Sequence, residues 1–529
     1  MGDIQKAQAD ADKSKRPRFL VIGAGSRGNA YARAVTQVTS GIIHSVAETD
    51  DFKRREFGKT YIWGSEGSPS EGQQFGDWKE WLAWEQERRR KKEAGEGDEH
   101  VGVDGVFVCT LDETHAEILL AIAPLQLHIL CEKPLATSLK DCMSIYNALL
   151  PDGPQSKPNK IFSIGHVLRY SPHNTLLRKL LLTDSVIGDI VSLEHTEPVG
   201  WWHFSHSYVR GNWRRQTPEG VGSLLTKSCH DIDFILWLLC SPPPGTPLNH
   251  PHHLPKSISS MGTLTHFRRS RKPALAGSAT NCLTCPAERS CIYSSLNIYR
   301  DINLAKHKLR WPLKILSADI EDIHTTAGHS AAESHLLKIL SEDYDKSTTP
   351  DSEIASRPWF GRCVYESDNN VNDDQVVTIQ WDDDEDNTNL PNRTSKTATF
   401  HMIAPTESQC DRRGRVYGTT GELTYDSHSI SVYSFATRST TTYDVPKQPE
   451  DESKAHGGGD YGLARGFVRA VEAAEDGWSV ERAQGEFVGC TLEEVVRSHA
   501  VVFAAEEARR EERVVRWKEW WEGKVGELR

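Results

Sequence analysis

A chain of 529 residues exceeds the ~250–300 residues at which a single hydrophobic core stops growing, so we expect two or more domains. Its 37% hydrophobic and 26% charged residues are typical of a soluble globular protein, and a net charge of −12 argues against nucleic acid or an anionic membrane as a partner. Eleven cysteines, an odd number and mostly within apolar runs, predict reduced thiols. Because no apolar targeting segment is visible, we expect a cytoplasmic protein that acts on a small molecule.

The first third of the chain has the rhythm of a nucleotide-binding domain. Residues 1–17 are polar and charged, which predicts a disordered arm. From residue 18 to residue 155, short apolar runs alternate with amphipathic stretches, and this alternation predicts βαβ units around a parallel sheet. An insertion at residues 64–100 carries tryptophans at helical spacing, so we expect a packed helix followed by a solvated charged run.

The remainder, residues 156–529, has a different composition. Strand-like runs such as "VVTIQW" and "TATFHMIA" occur among helical stretches, which predicts an α+β domain built on an antiparallel sheet. Two stretches of low information, about 317–357 and 383–397, are predicted to be surface loops.

The first apolar run leads into a glycine motif. "FLVIGAGSRGNA" places Gly23, Gly25 and Gly28 in G-x-G-x-x-G between a strand and a helix. Such glycines permit a tight turn and close approach of the backbone to a pyrophosphate at the helix N-terminus. Glu48 ends the next predicted strand, 20 positions after Gly28, where a carboxylate accepts hydrogen bonds from ribose hydroxyls and repels a 2′-phosphate. The motif predicts dinucleotide binding with NAD favoured, although the arginine pair at positions 54 and 55 leaves NADP open.

A second motif, "CEKPLATS", follows another buried strand. It places Lys133 at the C-terminal edge of the sheet, where ligands of open α/β folds bind. A lysine at a strand end more commonly only extends its ammonium group into solvent, so the context of the other motifs decides between these interpretations.

Residues 224–239, "LLTKSCHDIDFILWLL", have the apolar content of a buried helix but include several polar and charged residues. At about 100° per residue, Thr226, His230 and Asp233 share one stripe, whereas Lys227 and Asp231 lie on another at i,i+4 spacing. One interpretation is a helix with a solvated face and a weak surface ion pair. The apolar bulk on both sides favours a mostly buried helix whose polar groups need partners.

Several motifs occur together and in order: "GAGSRG", "VFVCTLDETHAEILLAIA", "HILCEKPLATS", "GHVLRYSPHNTLLRKLL" and "KSCHDIDFILWL". Together they resemble the glucose-fructose oxidoreductase/inositol dehydrogenase/MocA family, and the resemblance covers nearly the whole chain after Arg18. It implies an N-terminal Rossmann domain that holds NAD or NADP. It also implies a C-terminal α+β domain whose large open, mainly antiparallel sheet carries the sugar or polyol site and joins subunits into a homodimer or homotetramer.

The resemblance further implies roles for individual residues. Lys133 of the E-K-P motif would touch both cofactor and substrate. The expected cofactor-binding residues are Gly23, Gly25, Ser26, Arg27, Gly28, Glu48, Thr110, His115, Glu132 and Lys133. The expected substrate-binding residues are Arg169, Tyr170, His203, Trp213, Arg214 and Asp233. These supply the hydrogen-bonding groups and the aromatic platform that a sugar site needs, but Trp213 is equally compatible with the core and Arg214 with the surface.

One position departs from the family pattern. The helix that matches residues 224–239 commonly carries D-x-x-x-H in this family, with the histidine as acid/base and the aspartate positioning it. Here His230 takes the histidine position and Thr226 that of the aspartate, and threonine supplies no negative charge to orient an imidazole. Either Asp233 takes over that role, or Lys227 takes part in proton transfer with Lys133.

The segment "CLTCPAERSC" contains Cys282, Cys285 and Cys291. A C-x-x-C with a third cysteine is compatible with a structural zinc site, which usually needs four ligands, and the sequence identifies no fourth. We therefore expect three reduced thiols in a compact loop and no metal.

Together these features predict an NAD(P)-dependent dehydrogenase or reductase that acts on a secondary alcohol or ketone of a sugar, polyol or related ring. His230 removes the hydroxyl proton, Lys133 polarises the oxygen, and Lys227 is the third catalytic candidate. Two alternatives share the fold: an NAD-dependent, redox-neutral glycoside hydrolase and a non-catalytic NAD-binding transcriptional regulator. The presence of Lys133 and His230 favours catalysis, because a regulator needs neither.

Overall fold

The structure is a computed structural model that describes residues 16–528, apart from 97–99, 152, 154–155, 247–249, 388–391 and 455. The predicted disordered arm at residues 1–17 lies almost entirely outside the described residues. The strands are β1 (Arg18–Ile22), β2 (Ile42–Ala47), β3 (Gln74–Phe75), β4 (Gly105–Val108), β5 (His128–Cys131), β6 (Phe162–Ile164), β7 (Ile190–Pro198), β8 (Ser257–Thr263), β9 (Asp374–Trp381), β10 (Lys396–Ile403), β11 (Arg413–Gly418), β12 (Gly421–Tyr425), β13 (Ile430–Ser434), β14 (Ser439–Tyr443) and β15 (Val515–Arg516).

Helices surround these strands. They are α1 (Ser26–Val38), α2 (Asp51–Tyr61), α3 (Trp78–Glu93), α4 (His115–Ile122), α5 (Leu139–Ala148), α6 (Pro172–Leu182), α7 (Trp201–Phe204), α8 (Ser223–Thr226), α9 (Cys229–Leu239), α10 (Leu313–Leu316), α11 (Ile320–Ala327), α12 (His329–Leu340), α13 (Asp351–Ala355), α14 (Glu450–Ser453), α15 (Gly459–Glu475), α16 (Val480–Ala483), α17 (Leu492–Arg510) and α18 (Trp517–Leu528). Short 3-10 and π turns connect several of them.

The first sheet is six-stranded in the order β3-β2-β1-β4-β5-β6, and every neighbouring pair is parallel. Strands β4 and β5 are buried along their whole length, as expected when helices cover both faces of a parallel sheet. The order of strands reverses beside β1, so the loops after β1 and β4 flank the crevice in which doubly wound sheets bind ligands. The predicted parallel sheet is confirmed.

The second sheet has nine strands in the order β14-β13-β12-β11-β7-β10-β9-β8-β15. Its pairs are antiparallel except for β7 and β10, which run parallel. Strands β9 and β10 alternate buried with more exposed residues, the pattern of a sheet with one face packed on the core. The predicted open, mainly antiparallel sheet is confirmed.

The two sheets are joined by more than the chain connection between them. Helix α15, near the C-terminus, places the Phe467 ring 5.7 Å from the Phe19 ring of β1 and 5.4 Å from the Phe107 ring of β4. These contacts bury aromatic surface from both parts of the chain. The far end of the sequence therefore packs against the first parallel strands.

The predicted surface loop at about 317–357 is wrong. This segment forms α11, α12 and α13. Helices α11 and α12 pack in a small second hydrophobic core with residues from 298–313 and Phe360, whereas α13 packs through Ile354 against Tyr344 and Trp359. On α12, Ala332, Leu336 and Leu340 recur every four residues and are buried, so they form one helical stripe. The polar residues between them conceal this stripe in the sequence.

Two further features concern predictions about the chain as a whole. Among the described residues, none of the helices combines the length and the apolar character needed to cross a bilayer. All eleven cysteines are free thiols.

Candidate active site

The glycine motif forms the turn between β1 and α1. Gly23 has φ +93°, and a Cβ atom there would lie 2.6 Å from the Cys109 carbonyl oxygen. A Cβ atom on Gly28 would lie 2.0 Å from the carbonyl oxygen of Gly23. A Cβ atom on Gly25, in contrast, would meet no atom within 4 Å. The fold itself thus requires glycine at positions 23 and 28, whereas position 25 faces open space at the start of α1.

The start of α1 has the properties of an anion site. Its N-cap residue, Gly25, offers no side-chain cap, the first turn contains no acidic residue, and Ser26 is exposed. Backbone amides at such an uncapped end attract negative charge. Glu48, at the end of β2, accepts hydrogen bonds from the Ala24 amide (2.7 Å) and the Asp50 amide (3.0 Å), so its carboxylate is fixed beside the glycine turn.

Arg27 and Glu132 belong to a buried ion network under this turn. The Arg27 guanidinium donates to Glu132 (2.7 Å) and to Asp460 of α15 (2.8 and 3.2 Å), and the Tyr31 hydroxyl also donates to Glu132 (2.6 Å). Although burial opposes the charge of Glu132, Arg27 and Lys133 hold its pKa below the usual value. The network ties α1 and the end of β5 to α15.

Thr110 lies just after β4, and His115 begins α4. The Thr114 hydroxyl donates to the Thr110 hydroxyl (2.7 Å). Buried His115 bridges two carbonyl groups, with Nδ1 2.7 Å from the Pro134 oxygen and Nε2 3.3 Å from the Thr110 oxygen. His115 therefore fixes the E-K-P loop relative to the loop after β4.

Lys133 crosses from the parallel sheet to the predicted substrate helix. Its Nζ donates to the Thr226 carbonyl oxygen at 2.6 Å and lies 5.6 Å from the centre of the Trp213 ring. The Trp213 indole N–H in turn donates to the Asp112 carboxylate at 2.9 Å. An ammonium group has three N–H donors, so two remain after the bond to Thr226.

Residues 224–239 belong to two helices, α8 and α9, because the helix is interrupted at Lys227 and Ser228. Every residue from 223 to 240 is buried, so the interpretation with a solvated face is wrong. Lys227 does not pair with Asp231: its Nζ lies 2.7 Å from Glu197 of β7 and donates to the Cys410 sulfur at 3.2 Å. Asp231 instead pairs with Arg412.

This cluster determines the protonation of Lys227. Burial opposes its charge, but the neighbouring Cys410 sulfur and Glu197 carboxylate hold the pKa of Lys227 above its usual range. Arg412 contacts both Asp231 (2.6 Å) and Glu197 (3.1 Å), so two buried cations face two buried carboxylates. Lys227 is therefore a fixed cation rather than a group that exchanges protons near neutral pH.

Asp233 lies in a different network and does not contact His230. Its two oxygens accept hydrogen bonds from Arg169 at 2.7 and 2.8 Å, and one lies 3.1 Å from Nδ1 of His166. Arg169 also donates to Glu494 at 3.3 Å. Burial opposes the charge of Asp233, yet Arg169 and His166 hold its pKa below the usual value. Both oxygens of the Asp233 carboxylate are therefore engaged by Arg169 and His166.

His230 stands apart from these ion pairs. It is 9% exposed, and among the described residues its Nδ1 atom has no hydrogen-bond partner. Burial, and then the positive charge of Lys133, hold the pKa of His230 well below its usual value, so the imidazole is neutral at pH 7. A neutral imidazole next to an ammonium group is competent to accept a proton.

The other predicted substrate residues differ in whether their polar groups are already hydrogen-bonded within the protein. The Tyr170 hydroxyl donates to the Val488 carbonyl (2.9 Å), and Arg214 is held by Asp368 (2.8 Å), so both are occupied within the protein. His203 is half-buried against the Cys410 sulfur at 3.5 Å, and burial followed by Lys227 holds its pKa well below the usual value. Of this group, His203 and Trp213 lie beside the Lys227 and Lys133 ammonium groups.

Three charged residues and one thiol around the site were not predicted from the sequence: Asp112, Glu197, Arg412 and Cys410. A signal existed for Glu197. Strand β7 buries Leu193, His195 and Glu197 at alternate positions, so two polar residues occupy places where the period of a strand predicts apolar ones. Such polar residues on an inward face mark a functional or buried ion cluster.

His166, Cys229 and His499 also come together, with possible ligand atoms within 4.8 Å of one another. His499 has no nitrogen available for a metal, however, because Nε2 accepts from the Leu135 amide (2.8 Å) and Nδ1 lies 2.8 Å from the Val495 oxygen. Because His499 is occupied in this way, the three side chains do not form a metal site.

A family model described as "Oxidoreductase family, NAD-binding Rossmann fold" (GFO_IDH_MocA) matches residues 17–153. Inositol 2-dehydrogenase 3 of Saccharopolyspora erythraea is 25% identical over 222 residues, which is 42% of this chain and 53% of that protein. The 2,7-anhydro-N-acetylneuraminate hydratase of Escherichia coli is 31% identical over 137 residues, 26% of this chain and 34% of that protein. The chain thus spans about half, or less, of these curated relatives.

Similarity of fold extends further than similarity of sequence. A solved structure of levoglucosan dehydrogenase in complex with NADH and levoglucosan matches with a TM-score of 0.56 over 94% of this chain and 99% of that chain, at 14% identity. At this identity the match shows a shared fold of both sheets and nothing finer. The family model thus identifies residues 17–153 as an NAD-binding Rossmann fold of the GFO_IDH_MocA oxidoreductase family, and the structural match extends the shared fold to the second sheet.

Proposed function

We propose that this protein is an NAD-dependent dehydrogenase or reductase that acts on a secondary alcohol or ketone of a sugar, polyol or related ring. The observation that carries the proposal is the 2.6 Å bond from Lys133 Nζ to the Thr226 carbonyl oxygen, which joins the E-K-P loop to the end of α8, four residues before His230 in the first turn of α9. It places an ammonium group and a neutral imidazole at the junction between the parallel sheet and the second sheet. Relatives named inositol 2-dehydrogenase and 1,5-anhydro-D-fructose reductase support a polyol-like substrate.

The glycine turn, the uncapped start of α1 and Glu48 are suited to the cofactor. Open space at Gly25 and the free amides of the first turn fit a pyrophosphate, and the fixed Glu48 carboxylate fits a ribose with free hydroxyls. Arg54 donates to Asp51, and Arg55 lies 3.4 Å from Glu56, so both arginines already have carboxylate partners on α2. This supports NAD over NADP. When bound, the nicotinamide accepts or donates the hydride.

Side chains of the protein accept the proton and stabilise the negative charge that develops on the substrate oxygen. In the oxidative direction, neutral His230 accepts the proton of the substrate hydroxyl, and the Lys133 ammonium stabilises the oxygen as it becomes negative. The low pKa of His230 keeps the imidazole ready to accept a proton at neutral pH. Lys227 contributes a fixed positive charge, and His203 and Trp213 are the remaining candidates for contacts with substrate hydroxyls and with the ring face.

Within the described part of the chain, no carboxylate bonds to His230 Nδ1 in place of the aspartate that is missing at Thr226. Among the described residues, the nearest candidate on the same stripe, Asp233, is committed to Arg169 and His166. We propose that His230 is positioned by the close packing of α9, including the His166 ring 6.0 Å away, and that it works without a charged partner. A histidine without such a carboxylate is a weaker base, which suits a reaction in which Lys133 already acidifies the hydroxyl.

The test is a panel of sugars and polyols with NAD, followed by nicotinamide absorbance, using the natural chain and the His230→Ala and Lys133→Met variants. We expect net formation of NADH, with turnover lowered ~10²–10⁴-fold by His230→Ala and NAD affinity unchanged. Undiminished turnover in His230→Ala would contradict the assigned role. Release of an aglycone without net NADH would instead identify redox-neutral hydrolysis, and tight NAD binding without turnover would indicate a regulator.

A further inference from the structure

Four cysteines surround an internal cavity that lies away from the candidate active site. The cavity, of about 20 Å³, has Cys282, Cys285, Cys291 and Cys363 in its wall, together with Arg210 and Tyr293. Cys282 and Cys363 are each 7% exposed, and the other two are half-buried. The fourth cysteine, absent from the local sequence motif, is thus supplied by a segment 72 positions after Cys291.

Backbone pairing brings the fourth cysteine to the other three. Asn281 and Arg362 form an antiparallel bridge. Next to it, the Cys282 amide donates to the Gly361 oxygen at 2.9 Å and the Cys363 amide donates to the Thr280 oxygen at 2.8 Å. Cys282 and Cys363 therefore lie diagonally across this bridge, and the fold of the whole segment between β8 and β9 brings them together.

Arg210, which lines the same cavity, is a buried cation. Its side chain is completely buried, donates to the Arg362 and Tyr293 oxygens at 2.6 and 2.7 Å, and places Nη2 3.6 Å from the Cys282 sulfur. Its Nη1 atom has no partner, and within the described part of the chain no carboxylate oxygen lies within 4.0 Å of the guanidinium. A buried cation without a counter-charge is costly, so an anionic group is expected beside it.

Neutral thiols do not provide that negative charge. A metal that binds through thiolates releases one proton from each thiol to solvent, without any electron transfer. Four thiolates around a divalent ion then leave a net charge of about −2, which the Arg210 guanidinium partly neutralises.

We propose that Cys282, Cys285, Cys291 and Cys363 form a four-thiolate metal centre with Arg210 as its buried counter-ion. Two metal groups use this ligand set, a zinc ion and an iron–sulfur cluster. Among the described residues, no three of the cysteine sulfurs are gathered within 4.8 Å, whereas a single zinc with bonds of ~2.3 Å holds its sulfurs ~3.8 Å apart. A zinc ion therefore requires the thiols to turn inward, and an iron–sulfur cluster accepts them further apart. The experiment distinguishes the two.

The centre would link three parts of the chain between β8 and β9, which carry Cys282 and Cys285, Cys291, and Cys363. Through Arg210 it would also contact the turn Ser205–Arg210. This turn lies between His203 and Trp213 in the sequence, so a metal here would stabilise the stretch of backbone that carries both side chains. The inference does not depend on the proposed dehydrogenase activity, because its test measures bound metal.

The full chain is purified without oxygen from cells grown with added zinc and iron, and its zinc, iron and acid-labile sulfide are measured per chain. About one zinc, or about four irons with sulfide and a broad visible absorption, supports the centre. We expect Cys363→Ala and Cys285→Ala to lower that content at least tenfold. Cys142→Ala, which removes a buried thiol of α5 remote from the cavity, is the matched control and should retain the metal.

Two results overturn the proposal. One is a folded natural chain that holds less than about a tenth of an equivalent of either metal. The other is a Cys363→Ala variant with the metal content of the natural chain. If both cavity variants fail to fold, thiol alkylation of the natural chain decides: the four cavity cysteines should be protected until a chelator or acid removes the metal, and equal reactivity before and after removal refutes the centre.

Discussion

Replacing Asp233 with asparagine separates a structural role of this carboxylate from a catalytic one. Asp233 accepts two short bonds from Arg169, and both side chains are almost fully buried. Removing one partner of a buried ion pair costs ~3–5 kcal/mol, because the other charge is left uncompensated. Glu494 remains 3.3 Å from Arg169 and asparagine still accepts a hydrogen bond, so we expect the lower end of that range, about 3 kcal/mol.

The stability loss should depend on pH with a definite sign. Arg169 and His166 hold the pKa of folded Asp233 below its usual value, so the carboxylate stabilises the fold fully above its unfolded pKa of about 3.9. That contribution is lost as the pH falls through the folded pKa. The difference in the free energy of unfolding between the natural chain and Asp233→Asn should therefore be complete at pH 7 and shrink below about pH 4.

Denaturant unfolding followed by tryptophan fluorescence measures the stability, and steady-state turnover with NAD and the substrate from the panel measures catalysis. Asp184→Asn is the matched control, since Asp184 pairs with Lys179 at 2.6 Å on the surface and should cost no more than ~1 kcal/mol. We expect Asp233→Asn to keep turnover within about threefold of the natural chain while the protein is folded. A loss of turnover as large as that of His230→Ala, with unchanged stability, would show that Asp233 replaces the missing aspartate.

Three other outcomes can be measured. Because burial and Lys133 hold the pKa of His230 well below 6.5, the turnover of the natural chain should show no inflection near pH 6.5, as a pH–rate profile will reveal. Gly25→Val should weaken NAD binding at least ~10-fold in a calorimetric titration while the melting temperature stays unchanged, because a side chain there meets solvent rather than protein. Burial lowers the pKa of Lys396 to about 8, so the unfolded chain binds more protons above that pH and stability should rise by roughly 3 kcal/mol up to pH 10.5. Lys396→Met should abolish that rise in pH-dependent unfolding.

The parts of the fold that the sequence predicts are those encoded by neighbouring residues. The glycine motif, its strand and its helix lie within 21 positions, and the apolar runs of β4 and β5 identify the parallel sheet directly. The same locality explains why α11 and α12 were mistaken for a surface loop. Their apolar residues form narrow stripes that are buried only because Ile298, Tyr299 and Phe360 come from elsewhere in the chain.

The chemistry of the site depends on contacts between residues far apart in sequence. Lys133 reaches Thr226 across 93 positions, and Asp233 meets Arg169 across 64. Periodicity places Asp233 and His230 on one stripe of the helix, but it does not indicate that the carboxylate is already bonded to an arginine. The partner of Lys227 could not be identified either, because Glu197 lies on a strand of the second sheet.

The three glycines of the first turn differ in what each reveals about a relative's sequence. Changes at positions 23 and 28 collide with the protein's own backbone, so any chain with this architecture must keep them whether or not it holds a nucleotide. Position 25 meets nothing inside the protein, so only a molecule from outside gives a reason to keep it small. Among relatives, retention of the outer two glycines together with a bulky residue at the middle one would mark chains that kept the scaffold after giving up the redox cofactor.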